Sequence, residues 1–193
     1  MKKKTGLYFG SFNPIHNGHL IIANQMMVNS DLEEIWFVIS PHNPLKEKAS
    51  LLDDHHRLAL VKIAIDDNPK FKACDIEFNM PIPSYTIHTL VTLEEKYQNR
   101  SFGLIIGSDN LHSFEKWFNY EQILNNYELY VYPRPNYIGC QLKNHPSVKW
   151  INAPLIEISS SYIRECVNNH KSIRYLLPDK VIDYIIEMHF YEK

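Results

Sequence analysis

The chain has 193 residues, of which 45% are hydrophobic and 22% are charged, a composition typical of a globular protein with one domain. Lysine and arginine total 20 against 22 aspartate and glutamate residues, so the net charge is -2 and no excess of positive charge favours nucleic-acid binding. The six glycines form neither a GxGxxG nor a GxxxxGKS/T motif, which excludes the usual dinucleotide fingerprint and the P-loop.

The cysteines and the apolar segments indicate the cellular compartment in which the protein is expected. Cys74, Cys140 and Cys166 are far apart and form no CxxC pair, so they suggest neither a disulfide framework nor a zinc site. No apolar stretch approaches the roughly 20 residues that a membrane span needs, and no secretory signal is recognisable. We therefore expect a cytoplasmic protein that binds neither a membrane nor nucleic acid.

Short apolar runs alternate with segments of helical period, the pattern of parallel strands joined by helices. The first strand is predicted at 6–9, with a turn at 10–17 and a helix over 19–29. Further strands are predicted at 35–39, 71–74, 102–106, 127–132 and 148–151, and helices from Asp53, after a capping Ser84, near Ser161 and over 179–188. The expected fold is α/β: a doubly wound, Rossmann-like parallel sheet with helices on both faces, in one domain over 1–193 with a small helical part at about 159–193.

The turn after the first strand is the most informative segment. Gly10 permits a close backbone approach, and the helix that follows aims free N–H groups at a ligand. His16 and His19 are three residues apart, so they project from one side of the helix and could hold an oligophosphate between them. The simpler interpretation is that Asn17 caps the helix and the histidines lie at the surface. The pair together with its glycine turn favours an anion site.

A second candidate anion site lies near the C-terminus. Ser159, Ser160 and Ser161 open a helix and Arg164 follows in its first turn, where the helix dipole disfavours a cation unless an anion is bound. Lys46 lies in the long connection 40–52 and could close over a phosphate as a movable charge. Because ligands of doubly wound sheets sit where the strand order reverses, we expect the turns after the first and the 102–106 strands to face each other there.

Two further segments suggest a site for an aromatic, anionic molecule. Trp117 belongs to an aromatic cluster that follows the sequence Gly107-Ser108-Asp109-Asn110 and could stack on a heteroaromatic ring, although such stripes are more often part of a core. The residues Ser84, Tyr85 and Thr86 start a helix whose N–H groups could accept a carboxylate. Simple capping by Ser84 explains the same residues.

Taken together, these residues resemble the nucleotidyltransferase superfamily with an HxGH signature near the N-terminus and an ISSTxIR signature near the C-terminus. The first signature is His16-Asn17-Gly18-His19 and the second is Ile158 to Arg164, with Ser161 in place of threonine. The ordered landmarks Pro83-Ser84-Tyr85-Thr86, Ile106-Gly107-Ser108-Asp109, Trp117, Arg134-Pro135 and Leu176-Leu177-Pro178-Asp179 resemble the nicotinate-nucleotide adenylyltransferases within that superfamily.

The resemblance implies transfer of AMP from ATP to nicotinate mononucleotide, with Mg²⁺ carried by ATP. The catalytic residues it implies are His16, His19, Lys46 and Arg164. For ATP binding it implies Gly10, Ser11, Phe12, His16, His19, Gly107, Asp109, Ile158, Ser159, Ser160 and Arg164. For the nicotinate nucleotide it implies Ser84, Tyr85, Thr86, Trp117 and Arg134. No residue is implied as a resident metal ligand.

Two alternatives remain open at this point. The same chemistry could use another phosphate acceptor, such as nicotinamide mononucleotide or a pantetheine phosphate, because the phosphate-handling motifs are shared. Alternatively, a nucleotide-binding sensor could retain the fold and bind ATP without transferring AMP. Pyrophosphate release separates the sensor from the enzymes, and the preferred acceptor separates the enzymes from one another.

Overall fold

A computed structural model describes residues 2–41, 51–135, 137 and 140–192. Lys46, predicted to close over a phosphate, lies outside the described residues. The described strands are β1 (Lys3–Gly10), β2 (Glu34–Ile39), β3 (Phe71–Cys74), β4 (Arg100–Gly107), β5 (Glu128–Tyr132) and β6 (Val148–Trp150). The described α-helices are α1 (Asn17–Asn29), α2 (Asp54–Ala64), α3 (Thr86–Lys96), α4 (Ser108–His112), α5 (Tyr120–Asn126), α6 (Ser160–Asn168) and α7 (Asp179–Glu187).

The six strands form one parallel sheet in the order β3-β2-β1-β4-β5-β6. The chain builds outward from β1 to β3, and then returns to place β4 on the other side of β1. The strand order therefore reverses between β1 and β4, whose carboxyl ends are Gly10 and Gly107. This confirms the predicted doubly wound fold and places the two glycine turns on either side of the reversal point.

Alternating side chains along the strands build a core on each face of the sheet, as a period of two residues requires. Tyr8 and Ile105 face one core, which is covered by α1, α2, α6 and α7. Leu7 and Leu104 face the other core, which is covered by α3, α4 and α5. The helices on both faces confirm the predicted layers, and α6 and α7 form the predicted helical C-terminal part.

The predicted cap of α3 by Ser84 is wrong, and the simpler alternative at α1, capping by Asn17, is not observed either. α3 begins at Thr86 after Tyr85, which makes no side-chain cap, whereas the hydroxyl of Ser84 faces the buried carboxyl of Glu77. α1 follows His16 rather than Asn17 as its N-cap residue. Among the described residues, no helix combines the length and apolar character that a bilayer crossing requires.

Candidate active site

The two predicted anion elements meet at the carboxyl edge of the sheet. Arg164 Nη1 donates a hydrogen bond to the Asn13 carbonyl at 2.8 Å, and Ser160 Oγ donates to the Pro14 carbonyl at 2.8 Å. The start of α6 is therefore joined directly to the turn after β1. The hydroxyl of Ser159 caps α6 by accepting from the N–H of Tyr162.

The second signature supports its arginine locally. Arg164 Nη2 donates to Ser161 Oγ at 3.3 Å, so the serine that replaces threonine keeps the hydroxyl that orients the guanidinium. Ile158 is partly buried and packs against the core below α1 and α2. The segment therefore brings a positioned cation to the turn.

The two signature histidines do not face each other across a gap. Their rings are stacked, with centroids 3.7 Å apart and planes at 26°, so the prediction that a phosphate lies between them is wrong. The backbone N–H of His16 donates to Nδ1 of His19 at 3.2 Å. Because Nδ1 accepts, the hydrogen of neutral His19 is on Nε2. The stacked rings therefore present their edges to a phosphate and leave no space for one between them.

His16 is held in its neutral form. It is 5% exposed, and burial together with the positive charge of Arg134 lowers its pKa to about 4. Its Nδ1 is buried without a hydrogen-bond partner. A polyanion bound in the crevice would raise the pKa of His16, because an opposite charge nearby favours the protonated form. It would also give Nδ1 a hydrogen-bond partner.

Three buried polar atoms without a hydrogen bond belong to one neighbourhood. They are His16 Nδ1, Asp109 Oδ1 and Arg134 Nε. The Asp109 and Arg134 atoms are 4.0 Å apart, and the charge of Arg134 acts on His16. Buried polar atoms in native proteins are nearly always hydrogen-bonded, so this cluster at the strand-order reversal is prepared for a polar ligand.

Gly107 keeps this cluster open. A Cβ there would lie 2.2 Å from Asp109 Oδ1 and 3.2 Å from Arg134 Cγ, so no other residue fits without moving those side chains. The resemblance assigns Arg134 to the nicotinate nucleotide. In the structure Arg134 lies beside Asp109, donates to the hydroxyl of Tyr132 at 3.2 Å, and donates its backbone N–H to Ser108 Oγ.

Gly10 accommodates protein rather than an approaching ligand. A Cβ there would lie 2.9 Å from the ring of Phe12, which corrects the prediction that the glycine leaves its backbone open. The ring of Phe12 is 1% exposed and meets His19 edge-on at 5.1 Å. Phe12 therefore packs against His19 and supports the histidine stack, and almost none of its own surface is exposed.

The start of α1 is also partly occupied by protein. The backbone N–H of Asn17 donates to the Leu176 carbonyl at 2.9 Å, and its side chain donates to the Tyr175 carbonyl at 2.8 Å. The backbone N–H of Asn17 is therefore not among the free N–H groups predicted at this helix start. The segment before α7 covers one edge of the crevice.

Sequence reasoning missed the residues that hold the turn from behind. Arg57 is fully buried, and its guanidinium donates to the carbonyls of Ser11 at 2.6 Å, Ser40 at 3.0 Å and Leu52 at 3.0 Å. Its partner Asp54 neutralises the charge. Arg57 therefore joins the turn after β1, the residue after β2 and the end of the segment that precedes α2.

Tyr191, near the end of the chain, is a second missed support. Its hydroxyl donates to Asn13 Oδ1 at 2.9 Å, and Leu52 donates its backbone N–H to the same oxygen at 3.2 Å. An arginine within an amphipathic helix and a tyrosine far along the chain give no sequence signal for these roles.

The predicted acceptor residues lie at the start of α3 and before α5. The exposed rings of Tyr85 and Phe118 lie 4.6 Å apart, tilted by 34°, and join the two segments. Trp117 is partly buried and packs against Phe114 at 4.9 Å, so one part of its surface belongs to the core. Thr86 opens α3 with its N–H groups uncapped by a side chain.

The donor set of the crevice suits an anion. Histidine and arginine side chains converge there with the carboxylate of Asp109. Within residues 2–41, 51–135, 137 and 140–192, no group of three or more histidine, cysteine, aspartate or glutamate side chains has the arrangement of a metal site.

Comparisons with known proteins place the chain in a family. A family model described as cytidylyltransferase-like matches residues 7–166. A protein from Flavobacterium psychrophilum named probable nicotinate-nucleotide adenylyltransferase is 55% identical over 192 residues, which is 98% of this chain and 100% of that protein. A protein of the same name from Bacteroides fragilis is 47% identical, over 96% of this chain and 92% of its own length.

A solved structure agrees with the sequence relatives. The Plasmodium falciparum nicotinic acid mononucleotide adenylyltransferase complexed with NaAD superposes with a TM-score of 0.82 at 26% identity, over 98% of this chain and 97% of that one. The chain therefore belongs to the cytidylyltransferase-like family and, within it, to the nicotinate-nucleotide adenylyltransferases.

Proposed function

We propose that this chain transfers AMP from ATP to nicotinate mononucleotide, giving deamido-NAD and pyrophosphate in NAD biosynthesis. The observation that carries the proposal is the cluster of unpartnered polar atoms of His16, Asp109 and Arg134 at the strand-order reversal, next to the turn that Arg164 contacts. The names of the relatives and of the structure with NaAD support the same reaction.

The reaction needs alignment and charge stabilisation more than a general base. An oxygen of the acceptor phosphate attacks the α-phosphorus of ATP, a new P–O bond forms, and the bond from the α-phosphorus to the bridging oxygen breaks. The electron pair leaves with pyrophosphate. The second pKa of a phosphate monoester is about 6, so the nucleophile is already ionised near neutral pH, and catalysis depends on positioning and on stabilised charge.

The histidine stack contacts the polyphosphate in this proposal. His19 donates from Nε2, and His16, neutral in the free protein, gains a proton or a hydrogen bond as the anion binds. Arg164 and Lys46 neutralise the departing pyrophosphate. Mg²⁺ enters as part of the substrate Mg²⁺-ATP, held by phosphate oxygens and water, and the cationic donor set of the crevice is suited to the phosphates.

Two segments bind the nucleosides. Gly107 and Asp109 hold the adenosine portion together with the backbone of Ser11 and Phe12 and with Ile158, Ser159 and Ser160. The backbone at Ser84, Tyr85 and Thr86 receives the acceptor carboxylate, and Trp117 stacks on the pyridine ring by its exposed part. Arg134 contacts the nicotinate nucleotide, and its position beside Asp109 supports a place near the adenosine portion as well.

The direct test is pyrophosphate release from Mg²⁺-ATP by the purified protein, with nicotinate mononucleotide and nicotinamide mononucleotide as parallel acceptors and the dinucleotide identified by mass. The proposal predicts release that depends on acceptor and prefers the nicotinate form. Equal use of both acceptors would contradict a carboxylate-selective site. ATP binding without pyrophosphate release would favour another acceptor or a sensor.

A further inference from the structure

One buried acid lies next to the proposed acceptor site and has no role in the chemistry above. Glu77 is 3% exposed, in a 3₁₀ turn (Ile76–Asn79) between β3 and α3. Its Oε1 accepts a hydrogen bond from Thr89 Oγ1 at 2.7 Å. Its Oε2 is buried without a hydrogen bond of ordinary distance and angle, and no lysine, arginine or histidine of the described residues forms an ion pair with the carboxyl. Buried glutamates without a counter-charge are rare.

The contacts of Glu77 join the segments that border the acceptor site. Thr89 is fully buried one turn into α3, and the hydroxyls of Ser40 and Ser84 face the same carboxyl. Ser40 follows β2 and donates its N–H to the Gly10 carbonyl at 3.0 Å. Glu77 therefore links the start of α3 to the end of β2 and, through Ser40, to the turn after β1.

We propose that Glu77 is a positioning residue that sets selectivity for the anionic acceptor: as the neutral acid it holds the start of α3 through Thr89, and as the carboxylate it opposes a carboxylate bound there. This inference rests on the proposed function. A neutral carboxamide at the same place would not be repelled by the charge of Glu77. Protonation of Glu77 and binding of the acceptor's carboxylate are therefore coupled, whereas protonation of Glu77 and binding of a carboxamide are not.

The surroundings of Glu77 make its carboxyl harder to ionise than an exposed one. Burial raises its pKa above the usual range, and the hydroxyls of Thr89, Ser40 and Ser84 moderate that rise. On β3 the nearest titratable group is the thiol of Cys74, which burial keeps neutral by raising its pKa to about 11. The charged groups Asp75 and Lys96 also act on that thiol. Among the described residues, none of the ion pairs involves Glu77, so hydroxyls rather than a cation offset its burial there.

The pH dependence has a definite sign. Below its raised pKa Glu77 is neutral, and above it the carboxylate forms behind the acceptor site. The KM for nicotinate mononucleotide should therefore rise with pH relative to the value for nicotinamide mononucleotide, measured as alternative acceptor or competitive inhibitor. Both acceptors carry the same titrating phosphate, so the ratio of the two constants cancels its contribution.

The test compares this ratio for the wild type and for Glu77→Gln between pH about 5 and about 9. Glutamine resembles the neutral acid and can still accept from Thr89. We expect the ratio to rise by about fivefold or more in the wild type and to stay constant in the variant, with the KM for ATP alike in both. A constant ratio in the wild type, or an equal rise in the variant, would overturn the inference.

A second pair of variants tests the positioning contact. Thr89→Val removes the hydroxyl that donates a hydrogen bond to Glu77. Thr92→Val makes the same change on the same helix and is the control, because the Thr92 hydroxyl donates to the His88 carbonyl at 2.9 Å. We expect Thr89→Val to raise the KM for nicotinate mononucleotide severalfold with an unchanged KM for ATP, and Thr92→Val to change neither. Equal effects on both substrates would overturn the positioning role. A wild type that forms no dinucleotide would overturn the proposed function itself.

Discussion

Gly107→Ala tests the nucleotide site at one atom. The backbone of Gly107 has φ near -77°, which any residue can adopt, so the substitution introduces no backbone strain. The added methyl would lie 2.2 Å from Asp109 Oδ1 and 3.3 Å from Arg134 Nε. The first distance is about 1 Å shorter than an ordinary close contact between nonbonded atoms, so the aspartate must rotate away.

The fold should tolerate this movement better than the site does. Asp109 is a short side chain with 41% of its surface exposed, and its pairing with Arg134 is long at 4.0 Å. Such a long pair between partly exposed side chains contributes little to stability, and we expect a loss of about 1 kcal/mol in the free energy of unfolding from the steric change. A misplacement of about 1 Å at a reacting site can lower turnover about 10²-fold.

The assay is steady-state kinetics with Mg²⁺-ATP and nicotinate mononucleotide, alongside thermal unfolding of the same samples. We expect kcat/KM for ATP to fall by roughly 10² with little change in Tm. Ser101→Ala, at the amino end of the same strand, is the control and should leave both values unchanged. Normal kcat/KM in a folded Gly107→Ala protein would refute the assignment of Asp109 and Arg134 to the nucleotide site.

Three further predictions concern two residues that support the turn after β1 and one histidine within it. Arg57→Met leaves the carbonyls of Ser11, Ser40 and Leu52 without a donor, so urea denaturation should show a loss of about 3 kcal/mol or more in the free energy of unfolding, whereas Lys180→Met at an exposed pair should leave it unchanged. Tyr191→Phe removes the hydrogen bond to Asn13, so it should lower the free energy of unfolding by about 1 kcal/mol and raise the KM for ATP. Tyr175→Phe, at an exposed tyrosine, is the control. Equal effects of the two substitutions would contradict a supporting role for Tyr191. The pKa of His16 is about 4 in the folded protein, below its usual 6.5, so the unfolded chain binds the proton more readily. The free energy of unfolding should therefore fall by about 3 kcal/mol as the pH drops from about 6.5 to 4, and His16→Gln should remove this loss. A His16 imidazole that titrates near 6.5 by NMR would contradict the prediction.

The strands were predictable because their signal is local. Each predicted strand coincides with an observed one, with ends shifted by a few residues, since uninterrupted apolar runs bounded by turn residues specify buried parallel strands. The run 102–106 could be predicted as central because it is apolar at every position except one glycine. The reversal point follows from the fold class once β1 and β4 are neighbours.

The fine geometry of the site was not predictable, because it depends on contacts between distant segments. The spacing of His16 and His19 puts them on one side of a helix start, but only the fold shows their rings stacked over the ring of Phe12. Arg57 resembles an exposed helix residue until it meets the carbonyl of Ser11, 46 positions away. Ser84 resembles a cap because the buried carboxyl of Glu77 is invisible in a local sequence window.

The central claim is that the histidine stack at the strand-order reversal supports adenylyl transfer to nicotinate mononucleotide. The most direct measurement is a single-turnover reaction with ATP labelled at the α-phosphorus, comparing the wild type with His19→Ala of equal Tm. We expect the label to enter the dinucleotide with the wild type, and His19→Ala to reduce this rate by roughly 10² or more. Label that never leaves ATP with the wild type, or equal rates for both proteins, would contradict it.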